Sequence, residues 1–175
     1  MNENSVTFTI SPDENVARLI SSEWMQEGVL QPVAFTLDKG ESYLSVNRPG
    51  VESYDTDVAS FVKTHPLYGV NGLSYFRALL NVGEIRGVKA LVGETTLSAD
   101  VEVEPRDSYT KSHAGIFVRF QNKNVKRGQM IRISHVSEEV SSDTMLLEVR
   151  TQLLELATVE ECKLVNIENT KIRKQ

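Results

Sequence analysis

The sequence predicts an α+β fold: a largely antiparallel sheet built from β-hairpins, flanked by an N-terminal and a C-terminal amphipathic helix. Three observations lead there. Apolar and polar residues alternate strictly through the middle of the chain, most clearly at Leu97 to Val103 and Ala114 to Phe120. A helical period of apolar residues follows, from Leu146 to Ala157. Strands and helices do not alternate regularly, which separates the pattern from a doubly wound α/β fold. A length of 175 residues fits one domain, read as 1–170 with a basic tail over 171–175.

Each element has a local reason. Thr7 to Ile10 reads as a short strand. Ser11-Pro-Asp-Glu14 carries a capping box with proline at the first helical position, and Val16, Ile20 and Trp24 follow at four-residue steps, predicting a helix that ends at Gly28. Val33, Phe35 and Leu37 alternate, Asp38-Lys-Gly40 supplies a turn, and Tyr43 to Val46 resumes an extended pattern, predicting a hairpin. Asp55 is placed to cap a short helix whose inner face is Val58, Phe61 and Val62. Tyr75 to Val92 fits either period; a strand followed by a helical turn near Gly83 to Arg86 is preferred. Leu97, Ala99, Val101 and Val103 form the dry row of a strand whose other row is acidic, with Asp100, Glu102 and Glu104. Ala114, Ile116, Val118 and Phe120 share one face of the next strand, and His113, Gly115, Phe117 and Arg119 the other. Matching the dry faces pairs this strand with Ile131 to His135 in a hairpin, with Phe120 opposite Ile131 and Val118 opposite Ile133. Ser141 or Ser142 caps a final helix with Leu146, Val149, Leu153, Leu156 and Ala157 inward, and Lys163 to Ile167 reads as a last strand.

Composition narrows the function classes. The net charge of −5 disfavours a nucleic-acid-binding field over the whole surface. The one cysteine, Cys162, excludes an internal disulfide and cysteine-rich zinc sites, and reads as a buried structural thiol. His65, His113 and His135 lie at no short metal-ligand spacing, and no Walker loop, dinucleotide fingerprint or serine elbow occurs. No metal or cofactor is therefore expected. No window approaches the roughly twenty apolar residues of a membrane span. The N-terminus shows no signal-peptide pattern, so the expectation is a soluble, cytoplasmic protein.

Three side chains remain as candidates for chemistry. His113 starts a strand after a polar segment and can exchange a proton near neutral pH, which makes it the candidate catalytic residue. Arg48, in the constrained turn Asn47-Arg-Pro-Gly50, is the candidate anion ligand, and Arg119 shares the face of His113. The leading reading is a binding or accessory module with a protein partner or self-association. The alternative is a small hydrolase or transferase acting on a phosphorylated or carboxylated substrate through His113 and Arg48. A third, nucleic-acid association through the basic loop Lys123 to Arg127, lacks interleaved aromatics for base stacking.

Overall fold

A strand at the centre of a sheet needs apolar side chains on both faces, and Asn15–Ile20 supplies them, with Val16 and Ile20 on one face and Ala17 and Leu19 on the other. The structure is a computed structural model that describes residues 9–92, 94–103, 110–133 and 138–166. Its main elements are β1 (Asn15–Ile20), β2 (Tyr43–Asn47), α1 (Tyr54–Thr64), β3 (Ser74–Asn81), α2 (Val82–Gly87), β4 (Lys89–Val92), β5 (Thr95–Val103), β6 (His113–Phe120), α3 (Ser142–Leu156) and β7 (Thr158–Lys163). The seven strands form an antiparallel sheet in the order β7-β3-β1-β2-β6-β5-β4. Lys123–Asn124 adds to β6, and Gly69–Val70 adds to β3.

Both faces of the sheet are used. On one, Met145, Val149 and Leu153 of α3 and Ile85 of α2 pack against Val16, Ile20, Val46, Leu80, Val101, Ile116 and Val118. Burial of each large aliphatic side chain there contributes about 1.5–3 kcal/mol. On the other, Tyr54, Val58 and Val62 of α1 cover Ala17, Leu19 and Tyr75. The fold is thus mixed helix and sheet, with one large antiparallel sheet and three α-helices among the described residues.

Several expectations need correction. The helix predicted over 12–28 is strand β1. The capping interactions do form: Ser11 N–H donates to Glu14 Oε1 at 3.2 Å, and Asp13 N–H donates to Ser11 Oγ at 3.4 Å. They close one turn, after which the chain enters a six-residue ladder with β3, Asn15 opposite Asn81 and Ile20 opposite Phe76. Residues apolar on both faces gain more between two helices than a single stripe gains on one. Among the described residues no amphipathic helix precedes the sheet, and β7 follows α3, so these helices do not bracket it.

The hairpin over 33–46 is also replaced. Pro32–Phe35 is a 3-10 turn, as proline at its first position favours. β2 instead pairs along its length with β6, Tyr43 opposite Phe117 and Asn47 opposite His113. Ile131 and Ile133 do not pair with β6 as expected. Gln121 and Asn122 both take positive φ, 49° and 63°, and reverse the chain at once, so Lys123 faces Phe120. Met130–Arg132 pairs with Glu139–Ser141. The last strand begins at Thr158 rather than Lys163. Cys162 lies on it and is only half-buried. The alternation within β5, the strand-then-helix reading of 74–87 and the Ser141 cap of α3 match the structure. Of the expected α3 stripe Val149 and Leu153 are buried, joined by Met145, while Leu146, Leu156 and Ala157 are half-buried, and β6 is buried on both faces. His135, Glu104 and the basic tail lie outside the described residues.

Candidate functional site

β1 and β2 pair at one position only, Ala17 opposite Asn47. Past it they splay, and the gap is filled by Arg18. Its Nε–H donates to the Ala34 carbonyl at 3.0 Å and its Nη1 donates to the Ser45 carbonyl at 2.8 Å. The guanidinium also lies 5.1 Å from the centre of the Trp24 ring. Burial pulls its pKa down, with the neighbouring Tyr68, Glu41 and Asp38 acting against that.

The splay opens a cavity of about 720 Å³ between β1, β2 and α1. One wall is aromatic. Trp24 meets Tyr68 edge-on at 5.7 Å, Tyr68 meets Phe61 edge-on at 5.0 Å, and Phe61 stacks on His65 at 4.2 Å. The rest of the lining is polar and includes Arg18, Asp38, Glu41, Asn47, Asp57, His113 and Arg127. Phe61, expected on the inner face of its helix, is 36% exposed because it faces this space.

His113 is where the β6 alternation predicts, on the face opposite the aliphatic row, and it lines the cavity. It is 8% exposed, and burial lowers its pKa, so the ring is neutral at pH 7. Beside it, Tyr43 lies over Gly115, with its ring 6.1 Å from that of His113 and 5.0 Å from that of Phe117. Glycine at 115 lets the ring sit there, since a Cβ would stand 2.7 Å from Tyr43 Cδ2 and force the ring to shift.

A hydrogen-bond network ties α1 to β6 at the cavity edge. Asp57 Oδ2 accepts from Ser112 Oγ at 2.7 Å, Ser53 Oγ at 2.8 Å and Ser112 N–H at 3.2 Å, while Asn47 Nδ2 donates to Ser112 Oγ at 3.0 Å. Ser112 is fully buried and its proton goes to Asp57. That makes it a tether between elements, not a nucleophile offered to a ligand.

The other two nominated residues are elsewhere. Arg48 is not among the cavity-lining residues; its Nη2 pairs with Glu14 Oε2 at 2.8 Å and its Nε donates to the same oxygen at 3.2 Å. Burial would raise the Glu14 pKa, but the Arg48 and Ser11 hydrogen bonds hold it below the usual range. Arg119 pairs with Asp100 at 3.2 Å and with Glu102. Asp100 also pairs with Arg86 at 2.8 Å, so the acidic row of β5 is neutralised by two arginines. The geometry brings His113 to the cavity and leaves Arg48 outside it, so the two do not line one pocket. In the basic loop, Arg127 donates to the Leu37 carbonyl at 2.7 Å and faces Asp143.

Sequence reasoning missed Arg18, Trp24, Asp57, His65 and Tyr68. A helical reading of 12–28, with its buried stripe at Val16, Ile20 and Trp24, gives Arg18 no part in the interior. The signal available was a lone charge inside the apolar run Asn15-Val-Ala-Arg-Leu-Ile20, where a strand would have to find it partners. Among the described residues, no group of three or more His, Cys, Asp and Glu side chains could hold a metal, and no helix is long and apolar enough to cross a membrane. No family model, curated protein or solved structure matches the chain.

Proposed function

We propose that the chain is a binding module that takes a small organic ligand in the cavity between α1 and the splayed strands β1 and β2. The supporting observation is the cavity itself. Its volume of about 720 Å³ falls within the roughly 300–1,000 Å³ of small-molecule sites. Its lining joins one aromatic wall to a few placed polar groups, the usual composition of such sites. Binding is preferred to hydrolysis or group transfer because His113 reaches the cavity without Arg48.

The chain has one tryptophan, and it lines the cavity. A fragment screen followed by NMR on the full chain therefore has a single indole N–H resonance as its reporter. Binders are expected to shift that resonance together with the amides of Asn47, His65 and His113. Ser45 is exposed on the cavity wall, so Ser45→Phe is expected to block those binders without unfolding the protein. Binders that map instead to the groove beside Leu73, Leu164 and Val165, or a screen in which nothing moves the indole, would overturn the reading.

A further inference from the structure

We infer that the cavity's ligand is a small organic anion with a flat apolar body, its acidic group seated on the Arg18 guanidinium. The inference rests on the cavity being a ligand site. Its starting point is how the arginines are neutralised. Arg48, Arg77, Arg86, Arg119 and Arg127 each have a carboxylate oxygen within 4 Å, on Glu14, Glu160, Asp100, Asp100 and Asp143 respectively. Arg18, half-buried and lining the cavity, has none among the described residues; nor have Arg132, which is exposed, and Arg150, which donates to Thr36 Oγ1 and does not line this cavity. Its contacts are two backbone carbonyls and the Trp24 ring. Carbonyls orient a guanidinium but do not cancel its charge, and a desolvated charge is costly unless it is paired.

Donors remain for a ligand. A guanidinium carries five N–H groups, and the two carbonyls account for two. The planar fork matches a carboxylate or a phosphate, either of which would satisfy the remaining donors. The ligand's body follows from the ring chain Trp24–Tyr68–Phe61–His65, a continuous wall that begins at the ring lying against Arg18. A flat apolar group attached to the acid would lie along it. The carboxylates of the lining do not prevent this. Asp57 is occupied by Ser53 and Ser112, and Asp38 and Glu41 are exposed, where solvent screens them. His113, its pKa lowered by burial, adds no positive charge to compete with Arg18 for the acid.

The test uses the full chain and three probes of one shape and different charge: naphthoate, naphthylmethanol and naphthylmethylamine. Affinity is measured by calorimetry, and the site is identified by the Trp24 indole resonance. Naphthoate is expected to bind about tenfold or more tightly than the alcohol, as a charge-assisted hydrogen bond allows, with the amine weakest. Arg18→Met should bring the acid and the alcohol to equal affinity, and Arg18→Lys should keep part of the preference. The wild-type series decides the matter alone if Arg18→Met does not fold. Equal affinities, or an amine that binds best, would overturn the role of Arg18 and leave the cavity as a ligand site. Failure of all three probes to move the indole would sink the inference and count against the cavity as well.

Discussion

Replacing Gly115 by alanine should destabilise the protein through one side chain, Tyr43. The added Cβ would stand 2.7 Å from Tyr43 Cδ2, 3.1 Å from Tyr43 Cγ and 2.9 Å from Phe117 Cε2. Phe117 is 7% exposed and enclosed, so Tyr43, which is half-buried, is the ring that must move. Overpacking of this kind costs about 1–3 kcal/mol. Alanine in a strand recovers roughly 0.5–1 kcal/mol over glycine by restricting the unfolded chain. At the middle of both ranges the net loss is about 1 kcal/mol, or roughly 2–4 °C in Tm for a chain of this size. Urea denaturation of the wild type, Gly115→Ala, Tyr43→Ala and the double variant measures it. In the Tyr43→Ala background the alanine at 115 should cost less than half as much, leaving only the contact with Phe117. Unchanged stability of Gly115→Ala, or equal costs in both backgrounds, would refute the argument that Tyr43 closes over a bare backbone.

Asp57→Asn removes the charge that accepts three hydrogen bonds at the junction of α1 and β6, and should cost about 1–3 kcal/mol and speed amide exchange at Ser112; a Ser112 amide protected as in the wild type would contradict this. His113 has a lowered pKa in the folded state, so below about pH 6.5 the unfolded chain takes up a proton that the native one refuses. Stability should fall as pH drops below that value, by at most about 1.4 kcal/mol per pH unit from this group, and His113→Gln should flatten the fall seen in denaturation at pH 5 and pH 7. Arg48→Ala breaks the pair with Glu14 and should lower stability by about 1 kcal/mol or less while leaving cavity binders unaffected in calorimetry. Loss of those binders would return Arg48 to the site.

What could be read from the chain alone was what a few neighbouring residues settle between themselves. The two rows of β5 and β6 follow from the pleat, so His113 is on the face opposite Ile116 and Val118 whatever strand lies beside it. The α3 stripe and its Ser141 cap follow from the helical period and one side-chain oxygen. The turn at Ser11 to Glu14 is equally local, and it formed even though the helix it normally starts did not. Only the tertiary structure decided that Asn15–Ile20 is a strand, because that depended on apolar surfaces of α1 and α3 lying on opposite sides of it. It also placed β2 beside β6, a pairing between segments more than sixty residues apart that no local pattern encodes. Arg18 shows the consequence most sharply. Its charge was visible in the sequence, but its burial, its two carbonyl partners and the cavity in front of it exist only because β1 and β2 meet at one residue pair and then diverge.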